Sequence, residues 1–445
     1  MIPADPITRR LRSLHQDIVE TKEGQLASYI PELANADPEL FGIALVSLQG
    51  NVYHAGDTST IFTIQSVSKP FVYAMVLAEI GLDTALSHIG AEPSGEAFNA
   101  ISLNRETGRP ANPMINAGAI LTTSLVAAQD GRDRFDRIRQ RLSAFAGRDL
   151  DVDEAVYRSE LATGDRNRAL AYLMRSAGAL QEDVEETLDA YFRQCAVRVS
   201  TIDIAIMAAT LANRGVNPVT GEHIVSATVA DQVMTMMATC GMYDASGEWL
   251  LHVGLPAKSG VSGAMVAVSP GEFGIGLFSP RVDAQGNSVR GVAACRELAA
   301  RFDLQLIRRT GQPAPTLYTQ GLDEFAYGTT GWEPGGENAH NLPDNLVIRG
   351  PQGDICFSDA ERVLRSLDSV MSRGDSGETR IIVFDLHRVG NMSRAAHALV
   401  STMDRDLSEF GHHVTVVDDR ERTLIDFLKV FPSLNDVLLW AGQAS

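Results

Sequence analysis

The stretch Phe62-Thr63-Ile64-Gln65-Ser66-Val67-Ser68-Lys69-Pro70-Phe71 constrains this chain more than any other. A short β-leaning run leads into a helix that continues through Tyr73, Met75 and Leu77. Proline is tolerated only in a first helical turn, where its missing N–H removes nothing, so Pro70 sets the helix start just after Ser66. Ser66 and Lys69 then stand at i and i+3 on one helical face, close enough for an amine to serve a hydroxyl. A serine hydroxyl is a weak nucleophile without such a base, and lysine acts as one only when burial or a nearby cation lowers its pKa. Ser-x-x-Lys is frequent on solvated helices, but Phe62, Ile64, Val67, Phe71 and Val72 surround this one with apolar groups. The helix start also leaves backbone N–H groups free for a developing oxyanion.

Far downstream, Pro256-Ala257-Lys258-Ser259-Gly260-Val261 lies in a β-rich region punctuated by glycine. The two motifs, in this order, resemble the pairing of Ser-x-x-Lys with Lys-Thr/Ser-Gly in serine β-lactamases and penicillin-binding proteins. The resemblance implies an α/β fold: a mixed sheet plus a helical block, followed here by a second, small α/β part. Residues 7–20 read as an amphipathic helix. Phe41 to Leu48 reads as a strand, and Gln49-Gly50-Asn51 turns into Val52 to Ala55 as a hairpin. Helical spacing recurs over 118–128, 135–145, 168–177 and 200–213. Trp249 to Val253, Gly263 to Val268 and Phe273 to Phe278 read as returning strands, and a helix over 288–308 closes the unit.

At 445 residues the chain has room for two domains, and 44% hydrophobic content is enough for sizeable cores. A net charge of −18 argues against nucleic-acid or anionic-membrane partners. Cys195, Cys240, Cys295 and Cys356 are scattered without a Cys-x-x-Cys, so neither a disulfide framework nor a metal site is expected. The N-terminus carries Arg9, Arg10 and Arg12 without an apolar segment, and no apolar run reaches spanning length, so a cytoplasmic setting is expected.

Several polar residues sit in unusual company. Asn116 interrupts the apolar run Pro113 to Ile120, and a buried amide must be hydrogen-bonded to backbone or ligand. Glu160, Asn167, Tyr191 and Tyr243, taken singly, would be caps, satisfied core polar groups or packing residues. Together with Tyr29-Ile30-Pro31, Gln65-Ser66-Val67-Ser68-Lys69, Asn116-Ala117-Gly118-Ala119, Gln194-Cys195, Gly241-Met242-Tyr243-Asp244 and Lys258-Ser259-Gly260-Val261, they resemble the serine-dependent glutaminases. The resemblance spans about residues 5–310. It implies hydrolysis of L-glutamine to L-glutamate and ammonia through a covalent glutamyl-serine intermediate, with neither metal nor cofactor. Ser66 would be the nucleophile and Lys69 its base, with Tyr243 relaying a proton if its pKa is pulled down. Substrate contacts would fall on Tyr29, Ser66, Asn116, Glu160, Asn167, Tyr191, Tyr243 and the backbone of Val261. Glu160 would meet the α-ammonium, while the asparagines and tyrosine hydroxyls would hold the α-carboxylate. Ser262-Gly263-Ala264 departs from the family's usual run of glycines. A homo-oligomer, dimer or tetramer, is also expected.

Past residue 310 the composition shifts. Gln312-Pro313-Ala314-Pro315 reads as a linker between domains 1–312 and 313–445. Strands are expected at 346–348, 355–357, 379–386, 413–417 and 437–440, and helices at 359–371, 392–410 and 421–429. The run Gly353 to Glu361 with Ile381 to Leu386 is similar to STAS domains. Asn391-Met392-Ser393-Arg394 keeps a serine where regulatory members are phosphorylated, but lacks the acidic residue and glycine, so a packing or interaction role without a phosphoswitch is expected. A different serine amidohydrolase or β-lactam-binding enzyme, and a non-enzymatic regulator, remain open. The Glu160/Asn167 pair disfavours the first; the joint presence of Ser66, Lys69, Tyr243 and Lys258 disfavours the second.

Overall fold

The computed structural model describes residues 6–95, 103–104, 106–128, 133–302, 304–306, 317–318, 346–355, 381–392, 407, 412–418 and 429–444. The chain forms two compact units, Met1–Thr310 and Gly311–Ser445. The first is built on a five-stranded antiparallel sheet of order β2-β1-β7-β6-β5. Its strands are β1 Gly42–Ser47, β2 Val52–Gly56, β5 Ala257–Ser259, β6 Ala264–Ser269 and β7 Phe273–Phe278. A small ribbon pairs β3 Phe62–Thr63 with β4 Arg198–Val199. The Gln49-Gly50-Asn51 turn joins β1 to β2 in the register Leu45↔Tyr53, as the hairpin reading expects.

Alternation along the strands sorts the core into layers, because successive strand side chains face opposite ways. Ile43 and Leu45 of β1, Met265 and Ala267 of β6, and Ile275 and Leu277 of β7 pack with Leu11 and Leu14 of the helix Pro6–Ile18 and Leu298 of the helix Val289–Phe302. Ala44 and Val46 turn the other way, onto Ala205 and Ala209 of the helix Thr201–Ala212. That helix is pressed close against this face of the sheet: a Cβ at Gly274 would come 2.1 Å from Ala209 N, and one at Gly276 2.2 Å from Thr201 O. Only glycine allows so close an approach. The two glycines of β7 therefore form the groove in which the helix is seated.

The helix Lys69–Ile80 is buried on every side from Lys69 to Leu77. A helix that is apolar all round belongs in the interior. It packs with residues of the helices Arg134–Ala146, Thr201–Ala212 and Ala227–Cys240 and with Val266 and Phe278 of the sheet. A helical block containing Asn116–Ser124, Asp165–Ser176 and Val184–Cys195 forms a further cluster beside it. The block falls in sequence between β2 and β5, so it is inserted between the two parts of the sheet. Among the described residues, no single helix is long and apolar enough to cross a membrane.

One expectation fails here. Residues 249–253 are not a strand: Ser246–His252 is a helix, with Trp249 and Val253 buried four residues apart while Leu251 is 81% exposed. Apolar runs this short do not distinguish the two periods.

The second unit has a sheet of order β14-β13-β11-β9-β8. These strands are β8 Leu317–Tyr318, β9 Leu346–Pro351, β11 Ile381–Asp385, β13 His413–Val417 and β14 Val430–Phe431. Strand β8 is antiparallel to β9; β9, β11, β13 and β14 run parallel. A separate parallel ribbon joins β10 Gly353–Ile355 to β12 Val389–Met392. The expected strand at 437–440 is a helix, Leu434–Ala444. Leu434, Val437 and Ala441 are buried at helical spacing, and Ser433 Oγ accepts from Asp436 N at 3.3 Å as its cap. The helices expected at 359–371, 392–410 and 421–429 lie almost wholly outside the described residues, as do Ser393, Arg394 and the Gln312–Pro315 linker.

Candidate active site

Ser66 is presented by a tight turn between the β3/β4 ribbon and the central helix. Ile64 N donates to Val197 O at 2.8 Å, ending the ribbon, and the Phe62 ring stacks on Phe278 at 3.9 Å. A 3₁₀ turn, Gln65–Ser68, runs directly into Lys69–Ile80 with Pro70 in the first turn. Gln65 has φ +49°, a left-handed conformation that a side-chain-bearing residue adopts at a cost. Tyr243, at φ +57°, is another of the three non-glycine residues with positive φ among those described.

The Lys-Ser-Gly segment forms β5, the edge strand, in register Lys258↔Val266. Gly260 fits tightly against the serine turn: a Cβ there would lie 3.1 Å from Val67 Cγ2 and 3.4 Å from Ile64 O. Gly263, at φ +90°, closes the following turn, and a Cβ on it would strike Ser279 O at 2.1 Å. Among the described residues no backbone carbonyl accepts from the N–H of Ser66 or of Val261. The Ser262 hydroxyl, at the departure from the glycine run, is buried without a partner among the described residues.

Three hydrogen-bonded groups gather around this turn. In the first, Ser66 donates to the Tyr243 hydroxyl, which in turn donates to Ser259 O at 2.9 Å. Lys258 Nζ donates to the same carbonyl at 2.6 Å and lies 3.9 Å from the centre of the Tyr243 ring. In the second, Lys69 Nζ donates to Asn116 Oδ1 at 2.7 Å, and Asn116 Nδ2 donates to Asn167 Oδ1 at 3.1 Å. In the third, Tyr29 donates to Glu160 Oε1 at 2.8 Å, with Gln65 Oε1 at 3.1 Å. Tyr191 is fully enclosed, and its hydroxyl is hydrogen-bonded to Cys195, one turn along the same helix. Lys69 does not hydrogen-bond Ser66 here; its ammonium is held by Asn116.

The electrostatics follow from burial. Desolvation brings the Lys69 ammonium down to about 8, and drives Lys258 well below the usual lysine range, with the Lys69 charge adding to the effect. Glu160 is raised by desolvation, an effect opposed by hydrogen bonds from Tyr29 and Gln65. Burial pushes Cys195 up to about 12 and raises Tyr191 and Tyr243; Tyr29 is 46% exposed as a residue, but its hydroxyl end is desolvated beside Glu160 and is raised too. The direction at Tyr243 is opposite to the sequence expectation for a relay. The phenol stays protonated, so it carries a proton only by receiving one as it gives one. Gln65, Ser68 and Gln194 were quoted in the sequence motifs without a role; no periodicity or charge pattern marks them, and only the fold shows what they touch.

A buried Ser-x-x-Lys turn beside an edge strand, with an inserted helical block over a sheet that is antiparallel throughout rather than mixed as expected, defines a β-lactamase-like α/β architecture. The chain belongs to the glutaminase family: residues 24–307 match the protein-family model described as Glutaminase. It is 45% identical over 428 residues to Glutaminase of Corynebacterium glutamicum, covering 95% of this chain and 96% of that one. It is 43% identical over 424 residues to Glutaminase 1 of Bradyrhizobium diazoefficiens, covering 93% of this chain; it spans 66% of the length of that relative. Among solved structures, that of Mglu superposes with TM-score 0.80 at 40% identity, over 94% of this chain and all of that one. A Bacillus glutaminase matches 67% of this chain and 99% of its own, with TM-score 0.61 at 35% identity.

Proposed function

We propose that this chain hydrolyses L-glutamine to L-glutamate and ammonia, with Ser66 as nucleophile and a glutamyl ester on Ser66 as intermediate. The observation that carries the reading is the buried Lys69 three residues from a buried Ser66 at a helix start, where desolvation brings the lysine down to about 8. Such an amine is neutral in a useful fraction of molecules near neutral pH, as a general base must be. Tyr243 cannot hold a second proton, which leaves Lys69 to accept the one Ser66 releases.

In this scheme glutamine lies with its α-ammonium at Glu160, which is buried with no cationic side chain paired to it among the described residues. Asn116, Asn167 and the hydroxyls of Tyr29 and Tyr191 serve the α-carboxylate. Ser66 Oγ attacks the side-chain amide carbon as its proton passes to Lys69. The oxyanion is held by the N–H groups of Ser66 and Val261. The C–N bond then breaks while Tyr243 gives its proton to the departing nitrogen and is reprotonated through Lys69, so no tyrosinate forms. Water attacks the ester, its proton goes to Lys69, and the C–O bond to Ser66 breaks as Lys69 returns that proton to Ser66 Oγ and glutamate is released. No metal or cofactor takes part.

The proposal extends to domains 1–312 and 313–445, the latter STAS-like, and to a cytoplasmic dimer or tetramer. Support for the second domain comes from its parallel strands and C-terminal helix; light scattering tests the assembly. Ammonia release from L-glutamine, beside L-asparagine and a chromogenic β-lactam, tests the activity. Ser66→Ala is expected to abolish turnover with the fold intact, and substantial residual hydrolysis by that variant would overturn the mechanism.

A further inference from the structure

We infer that Gln194 and Ser68 form an internal latch that sets the position of the nucleophile, with Thr123 as its anchor. The inference rests on the reading of Ser66 as nucleophile. Gln194 lies on the helix Val184–Cys195, and its side chain is 1% exposed. Its Nε2 donates to Ser68 Oγ at 2.9 Å, and Ser68 Oγ donates to the backbone carbonyl of Gln65 at 2.8 Å. On the other side, Thr123 Oγ1, on the helix Asn116–Ser124, donates to Gln194 Oε1 at 3.1 Å and also lies 3.0 Å from Ala119 O.

The polarity of this chain is fixed by its ends. The carbonyl of Gln65 only accepts, so the single Ser68 proton goes there. Ser68 must then accept from Gln194, which turns the amide so that its oxygen faces Thr123. One orientation gives each of these atoms a hydrogen-bond partner, and all lie in the interior: Ser68 and Thr123 are 0% exposed. A fully satisfied buried polar network rigidifies what it holds.

What it holds is the residue before the nucleophile. Gln65 is in the left-handed region, a conformation that persists where its surroundings over-determine it. The peptide between Gln65 and Ser66 carries at one end the carbonyl gripped by Ser68 and at the other the Ser66 N–H proposed for the oxyanion. Rotation of that one peptide plane would move both the N–H and the attacking hydroxyl. The latch fastens the plane to helices of the inserted block, which also carry Asn116 and the enclosed Tyr191. Gln194 and Ser68 are thus positioning residues: they act on the reaction through Gln65 and Ser66.

The test uses the full chain with Gln194→Met, which keeps length and apolar bulk but loses both hydrogen bonds, and with Ser68→Ala, which removes one hydroxyl and leaves Gln194 in place. Fold is followed by circular dichroism and kinetics by ammonia release, with Ser66→Ala alongside. A displacement of about 1 Å at a reacting atom costs on the order of a hundredfold in rate. The expected result is a fall in kcat of about 10- to 100-fold in each variant, KM within about twofold, and a double variant no slower than the slower single one, since both break the same chain. The inference is overturned if either variant, folded, keeps the wild-type kcat, or if the loss appears in KM alone. It is also overturned if the two losses multiply in the double variant. Activity in Ser66→Ala would instead strike at the nucleophile itself, so the two failures are distinguishable.

Discussion

Replacing Lys69 by methionine separates what the site needs from what the fold prefers. The folded protein lowers this ammonium from 10.5 to about 8. At about 1.4 kcal/mol per pH unit, that difference of 2.5 places roughly 3 kcal/mol of destabilisation on the protonated lysine. The folded-state value lies below the unfolded one, so the unfolded chain holds the proton more tightly. The deficit is full below pH 8 and shrinks as pH rises from 8 toward 10.5. Methionine removes the charge at similar volume but leaves Asn116 Oδ1 without its donor, a loss of about 1–3 kcal/mol.

The balance is a variant as stable as wild type or about 2 kcal/mol more stable at pH 7, and less stable by about 1–3 kcal/mol at pH 10.5. Urea unfolding followed by tryptophan fluorescence at both pH values measures this, and ammonia release measures activity, which should fall nearly as far as in Ser66→Ala. A stability difference that is the same at both pH values, or a variant that still turns over glutamine, refutes the argument that Lys69 is a buried base.

In the wild type, kcat/KM should rise with pH through about 8 as Lys69 loses its proton; a profile flat from pH 6 to 9 would exclude that group as the base. Tyr243→Phe removes the hydroxyl that accepts the Ser66 hydrogen bond and the donor to the leaving nitrogen, so kcat should drop on the order of 10²- to 10⁴-fold with little change in KM. L-Asparagine, one methylene shorter, cannot reach Ser66 with its α-groups at Glu160 and the asparagines. Its kcat/KM should be lower by on the order of a hundredfold, and parity of the two substrates would dissolve the α-amino-acid clamp. A protein truncated after Gln312 should keep its activity per folded molecule, measured by ammonia release beside light scattering. A folded truncation of unchanged assembly with no activity would show that the first unit is not self-sufficient.

The parts of this architecture legible in the sequence are those that obey a local rule. The β1/β2 hairpin was marked by Gln49-Gly50-Asn51 between alternating strands, and the central helix by the placement of Pro70. The two misread segments, 249–253 and 437–440, are short apolar runs in which four or five residues fit either period. In each, the helix shows in which residues are buried at helical spacing: Trp249 with Val253 inside the first run, and Leu434 and Ala441 on either side of the second with Val437. The seating of Thr201–Ala212 on Gly274 and Gly276 was likewise invisible, because two glycines in a strand signal a close approach without naming the partner.

The site was legible through residue identity rather than pattern, and its energetics explain why. It gathers groups that each break a rule kept elsewhere: a buried Lys69 and Lys258 without carboxylate partners among the described residues, a buried Glu160, and left-handed backbone at Gln65 and Tyr243. Each opposes folding by an amount on the order of a kcal/mol or more. A chain that places several such groups together must compensate with the surrounding core, here a central helix apolar on every side and a sheet with both faces covered. Local rules cannot find these residues, because what distinguishes them is their violation of those rules. The same reasoning gives the direction of change: substitutions that relieve one of these strains, Lys69→Met first, gain stability where the charge is lost and lose the reaction.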